Sequence, residues 1–239
     1  TSRNGVQAMS GSSKQALILG ASRGLGLGLA RELLARGWRV VGTERKPSEG
    51  LEALRAEAPD RVKIETVDID RPEQVQALRR RLDGSRFDLL FVNAGVSGSS
   101  EKTISQVSHE EFVREMTTNA FSSVRAAEAL GELVPSGGTV GFMTSILGSI
   151  ANNTSAGYEV YRASKAALNM LVRSFVARHA SKRWTVLLLH PGWARTDMGG
   201  PQAPVDVPTS TRGLADVIEA RHGTGGLAFL DYQGKELAW

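Results

Sequence analysis

Short apolar runs, each closed by a turn residue and followed by a helical pattern, predict an α/β chain. The expected architecture is a doubly wound, mostly parallel sheet of seven strands with helices on both faces. Residues 16–19 and 87–92 are nearly continuous apolar runs, as in strands buried on both faces; a sheet wet on one side would alternate. A glycine-rich turn separates the first run from the first helix. No composition break divides the chain, so residues 15–239 are expected to form one domain, with polar residues 1–14 a flexible tail or a leftover of expression.

The elements follow in order. Ala16-Leu17-Ile18-Leu19 leads into Gly20-Ala21-Ser22-Arg23-Gly24-Leu25-Gly26, and Leu25, Leu29, Leu33 and Leu34 continue at helical spacing until Gly37. Glycines between a strand and a helix permit a tight turn and let a pyrophosphate approach the amides at the helix N-terminus. The G-x-x-x-G-x-G spacing would be an ordinary turn without those flanks. Strands are expected at 39–43 and at 62–67, the latter ended by Asp68-Ile69, with a short helix at 51–57 between them. Asp70 and Glu73, with Pro72 in the first turn, predict a capping box for a helix reaching Leu82. The strand at 87–92 ends in Asn93-Ala94-Gly95. Ser108 and Glu111 cap a long helix through Leu130, and a strand at 139–143 ends in Thr144-Ser145. The helix carrying Tyr161 and Lys165 follows, then a strand at 185–189 closed by His190-Pro191-Gly192, a helix at 209–220 and a last strand at 227–230.

Composition narrows the function. Without cysteine there is no disulfide, no thiolate metal site and no cysteine nucleophile, and His109, His179, His190 and His222 have no metal-ligand spacing. The net charge of +4 is scattered, where nucleic-acid binding needs a basic patch; it suits a phosphorylated small molecule. No apolar run has the length of a membrane span, so a cytoplasmic enzyme or binding protein is expected.

Tyr161 and Lys165 are one helical turn apart, and Leu168 and Val172 continue their face inward. An ammonium beside a phenol favours the phenolate, which fits the phenol for proton transfer near neutral pH; a chance surface pair is the alternative. Asn119 projects from the apolar face of its helix with Phe112 and Met116, where an amide needs a partner, structural or catalytic. In an open parallel sheet ligands bind beyond the carboxyl ends of the strands, and Gly20, Asp68, Asn93, Ser145 and Pro191-Gly192 all follow strands.

Taken together, the glycine turn, the Asp after the third strand, Asn93-Ala94-Gly95, Asn119, Ser145, Tyr161 with Lys165, and Pro191-Gly192 followed by Thr196 resemble the short-chain dehydrogenase/reductase family. The wording around Tyr161 and after His190 is similar to that of bacterial C-factor-like members and sniffer-type carbonyl reductases. The resemblance implies a Rossmann-like fold and a nicotinamide cofactor. Tyr161 would be the acid/base, Lys165 its partner and a ribose ligand, Ser145 a donor to the substrate oxygen, and Asn119 the holder of a relay water. It also implies cofactor contacts from Gly20, Ser22, Arg23, Gly24, Leu25, Gly26, Arg45, Asp68, Ile69, Asn93, Ala94, Gly95, Pro191, Gly192 and Thr196, and no metal.

This chain departs from the family pattern in places. Residues 152–155 lengthen the path from Ser145 to Tyr161 and leave Ser149 as a rival serine, while Tyr158 is a second phenol expected to line the substrate pocket. Leu19 replaces the usual Thr and should remove a hydrogen bond inside the turn. Glu44 is placed to bond the ribose of NAD, yet Arg23, Arg45 and Lys46 favour the 2′-phosphate of NADP, so NADP(H) is expected with NAD(H) the alternative. Met198-Gly199-Gly200-Pro201 reads as a lid over a small carbonyl or alcohol substrate. Ala163, Ala166, Ala167, Met170, Ser174 and Ala177 form a second line on the Tyr161 helix, and the resemblance implies a homodimer or homotetramer through it. The rival reading is an NAD(P)-binding signalling protein with little turnover.

Overall fold

In the computed structural model, which describes residues 13–98 and 102–239, seven strands lie in the order β3-β2-β1-β4-β5-β6-β7, and every pairing is parallel. They are β1 (Gln15–Leu19), β2 (Arg39–Glu44), β3 (Val62–Thr66), β4 (Leu89–Val92), β5 (Thr139–Met143), β6 (Thr185–His190) and β7 (Gly226–Asp231). The helices are α1 (Gly24–Ala35), α2 (Glu49–Glu57), α3 (Pro72–Arg81), α4 (His109–Met116), α5 (Ser123–Leu130), α6 (Glu159–Arg178) and α7 (Val207–Arg221). Of the expected tail, residues 1–12 lie outside the described part. Lys14 is exposed but tied to the fold, its carbonyl accepting from the Arg39 N–H at 2.8 Å and its ammonium 5.2 Å from the centre of the Trp38 ring.

The strands read as continuous apolar runs because both faces are covered. Leu17 and Leu19 point into one core with Val75 and Leu78 of α3, Ala127 of α5 and Phe175 of α6. Ala16 and Ile18 point into the other with Leu29 of α1, Leu54 of α2 and Leu214 of α7. The chain begins in the middle of the sheet, winds out to β3 and returns to β4 on the other side of β1. The loops leaving β1 and β4 therefore part and open a crevice.

Two local expectations give way to tertiary contacts. The helix expected from Ser108 to Leu130 is broken by a π-helical segment, Thr117–Ser122, whose wider turn brings the Ser123 hydroxyl to the Thr118 carbonyl at 3.0 Å. Its N-terminal capping box, Ser108 with Glu111, is present. The box expected at Asp70 and Glu73 is not. Arg71 takes the N-cap position without a side-chain bond, and Asp70 instead accepts from the Thr118 hydroxyl at 2.7 Å. Among the described residues no helix is long and apolar enough to cross a membrane. Phe112, Val113, Phe121, Met170 and Leu171 are exposed on α4, the π segment and α6.

Arg36 ties α1 to α7. Burial alone would lower its pKa, but bonds to Glu219, Asp216 and Glu32 more than offset this and raise it above the usual value. Trp38 Nε1 shares Glu219 at 3.0 Å. Arg36→Ala leaves these carboxylates without their cation and should cost about 1–3 kcal/mol. The urea midpoint should fall with its slope unchanged.

Candidate active site

The crevice beyond β1 and β4 is lined by Gly20, Ser22, Arg23, Gly24 and Leu25 from the glycine turn, and by Arg45, Asp68, Ile69, Asn93, Ala94, Gly95, Lys165 and Thr196. Gly20 has φ +86°, and a β-carbon there would lie 3.0 Å from Ala94 Cα, so the turn and the end of β4 touch backbone to backbone. Gly26 does not line the crevice. Its missing β-carbon makes room for the Gly20 carbonyl, 2.0 Å from where that atom would be, and for the Asn93 amide, which donates to the same carbonyl at 2.7 Å. Pro191 and Gly192 also lie outside the lining, with the Pro191 carbonyl accepting from Ser210 Oγ at 2.6 Å.

These residues fit a dinucleotide. The first turn of α1 has no acidic residue and no side-chain cap, which leaves amide groups for an anion. Inside the turn the Gly20 N–H is bonded from the next strand, donating to Thr43 Oγ1 at 3.0 Å. Glu44 lines the crevice, but it is only 4% exposed and accepts from Ser48 Oγ at 2.6 Å. Arg45 is exposed, and Arg23 is ion-paired with Asp197 across the mouth. The expected lid is a bonded loop, with Trp193 Nε1 donating to the Gly199 carbonyl at 2.8 Å and the Gly199 N–H to Thr196 Oγ1 at 3.1 Å.

The polar groups of α6 lie deeper. Lys165 is buried, donates from Nζ to the Met143 carbonyl at 3.0 Å, and places its ammonium 5.7 Å from the centre of the Tyr161 ring. Gly148 lets the turn after Ser145 lie against Lys165, whose backbone would be 2.8 Å from an added β-carbon. Asn119 is fully buried. Its Oδ1 accepts from the Val96 N–H at 2.7 Å, and its Nδ2 donates to the Val96 carbonyl at 2.8 Å and to Ser164 Oγ at 2.9 Å. Ser164 in turn donates to the Tyr161 carbonyl at 2.8 Å, so Asn119 steadies the turn that carries Tyr161.

Ser145 ends β5 and accepts from the Leu147 N–H at 3.1 Å. Ser149 accepts from the Asn152 N–H and opens on a different groove, bounded by Ile150, Arg162 and Ala166. Tyr158, exposed at the head of α6, has a left-handed backbone (φ +57°) that a bulky residue adopts at a cost of about 1–3 kcal/mol.

Electrostatics reverse the simple expectation for the pair. Burial raises the Tyr161 phenol above its ordinary pKa, and Glu115 raises it further. Burial lowers Lys165 to about 8.

Residues 14–205 match the family model of the short chain dehydrogenases. The chain belongs to that family. C-signal of Myxococcus xanthus is 41% identical over 154 residues, which make up 64% of this chain and 92% of that protein. A short-chain dehydrogenase/reductase from Burkholderia multivorans, solved with bound NADP, superimposes with a TM-score of 0.93 at 49% identity, covering 95% of this chain and all (100%) of the other. A carbonyl reductase from Pseudomonas aeruginosa in complex with NADP gives 0.89 at 40% identity over 95% and 100%.

Beyond the short-chain dehydrogenase motif residues, the structure adds some that the sequence did not single out. Thr43, Val67, Val96, Thr118, Met143 and Asp197 also line the crevice, as do Asp70, expected only as a helix cap, and Met198, expected in the lid. Asp197 was discoverable only by its place next to Thr196.

Holding Lys165 charged in the interior opposes folding. A pKa that falls from 10.5 to about 8 on folding corresponds to roughly 3 kcal/mol, felt in full below pH 8 and fading as pH rises to 10.5. Lys165→Met removes this cost and gives up one hydrogen bond worth about 1 kcal/mol. The variant should therefore be more stable than the parent by about 1–2 kcal/mol at pH 7 in urea unfolding. The gap should close between pH 8 and pH 10.5.

Proposed function

We propose that this oxidoreductase interconverts a small carbonyl compound and its alcohol with NADP(H), and that Tyr161 is the general acid and base. The observation that carries the reading is Lys165, which lines a crevice fit for a dinucleotide and has the Tyr161 ring beside it. The nicotinamide cofactor, when bound, supplies or accepts the hydride.

The glycine turn and the amides of α1 hold the pyrophosphate, Asp68 and Ile69 bound the adenine end, and Lys165 bonds the ribose. Ser145 Oγ, already an acceptor from Leu147, has its proton left to donate to the substrate oxygen. Tyr161 Oη delivers its proton to that oxygen in reduction and takes it back in oxidation. Asn119 holds the turn of Tyr161 in place through Ser164.

Arg23 and Arg45 favour the 2′-phosphate of NADP, and Glu44, already bonded to Ser48, is less available to the ribose of NAD. The NADP carried by the Burkholderia and Pseudomonas neighbours supports the same choice. A purely signalling role, as the name of the Myxococcus relative raises, leaves the buried Lys165 and the Tyr161 pair without use. The exposed apolar residues of α4 and α6 support self-association as a dimer or tetramer.

Tyr161→Phe should lower turnover on an accepted carbonyl by about a hundredfold or more while NADPH still quenches protein fluorescence. Turnover equal to the parent's would end the assignment. Replacing both Arg23 and Arg45 by Ala should weaken NADPH about 10–100-fold and leave NADH little changed. Equal losses for both cofactors in titration calorimetry would contradict the phosphate role.

A further inference from the structure

The turn that begins at Ser145 is held at both ends. At the near end the Ser145 hydroxyl accepts from the Leu147 N–H, its carbonyl accepts from the Gly148 N–H at 2.9 Å, and Gly148 lies against Lys165. The series then continues outward. The Ile146 carbonyl accepts from the Ser149 N–H at 3.0 Å, and Ser149 Oγ accepts from the Asn152 N–H at 3.1 Å. At the far end the Ala151 N–H donates to the main-chain oxygen of Trp239 at 2.9 Å. Overlapping hydrogen bonds thus join Ser145 to a residue beyond the last strand. Residues 151–156 are exposed, so no core holds them.

After β7 the chain turns at Gly234 (φ +82°) and comes back along the open edge of the sheet. The Asp231 N–H donates to the Lys235 carbonyl and the Leu237 N–H to the Phe229 carbonyl, each at 2.9 Å. Covering an unpaired strand edge accounts for these bonds. It does not account for Trp239, which lies past them. The Arg173 guanidinium of α6 is 4.8 Å from the centre of the Trp239 ring, and the Phe229 ring is 5.5 Å away. A ring in contact with both α6 and β7 fixes the backbone that carries it, and with it the oxygen that Ala151 meets.

We propose that Trp239 is a positioning residue for Ser145, anchoring the far end of the turn through Ala151 and so keeping the serine hydroxyl aimed at the substrate oxygen. The inference rests on Ser145 being the donor to that oxygen. Trp239 is not among the residues that line the crevice, so nucleotide binding should not depend on it.

A double-mutant cycle on carbonyl reduction tests the coupling. Ser145→Ala should lower kcat about a hundredfold or more. Trp239→Ala should lower kcat about tenfold, with the Kd for NADPH in titration calorimetry within about twofold of the parent's. In the Ser145→Ala background, Trp239→Ala should cause no further loss, because the group that it positions is gone. Trp239→Phe keeps a ring for Arg173 and Phe229 and should hold kcat within about twofold of the parent's. Parental kcat in Trp239→Ala, or the same loss with and without Ser145, would overturn the role. Amide exchange in the parent needs no variant to fold. The Ala151 N–H should exchange about tenfold or more below its unprotected rate, and exchange at the unprotected rate would remove the anchor. Parental turnover in Ser145→Ala marks a different failure, that of the donor assignment on which the inference rests.

Discussion

Where β1 and β4 end, two stretches of backbone meet with no space for a side chain between them. A β-carbon on Gly20 would sit 3.0 Å from Ala94 Cα, and one on Gly26 would sit 2.0 Å from the Gly20 carbonyl. Asn93 closes the contact by donating to that carbonyl. This approach fixes the start of α1 against the end of β4 and so decides where amide groups face an anion. It also sets the floor on which Lys165 and Met143 meet. The chemistry proposed for Tyr161 depends on that floor, because a proton donor is useful only when the hydride partner is held at a fixed distance.

Much of the fold could be read from the chain because a parallel sheet covered on both faces leaves a simple trace. Its strands are apolar runs, and its ligand loops follow them immediately. Tyr161 and Lys165 were legible because an α-helix puts residues four apart on one face. Other features lie in contacts between distant segments. Thr43 reaches the Gly20 N–H only because the register sets β2 beside β1, and nothing near Thr43 marks it. Asp70 reads as a helix cap until Thr118, from the π segment, claims it. Glu110, Glu111 and Glu115 look alike in the sequence, and it is the packing of α4 on α6 that buries Glu115 alone.

A polar seam runs through the contact between α6, the π segment and the end of β5. Asn119 bonds Ser164, the Thr144 hydroxyl bonds Asn169 Oδ1 at 2.8 Å, and Lys165 bonds Met143. Apolar residues of equal volume would pack there without the need for partners. The seam instead keeps ionisable groups dry and satisfied, and the dry setting strengthens each charge that acts on Tyr161. Stability and reactivity are therefore opposed at Lys165, where the interior position that lowers its pKa also weakens the fold.

The wide turn at Thr117–Ser122 joins two helical pieces that serve different masters. Glu115 and Asn119 look toward the site, while Ala126, Ala127 and Leu130 fill the core. Removing one residue between them would rotate everything downstream by about 100° and leave one set or the other misdirected. Side chains in this stretch are thus freer to vary than its length, and an insertion or deletion there is a change of phase that no single substitution can correct.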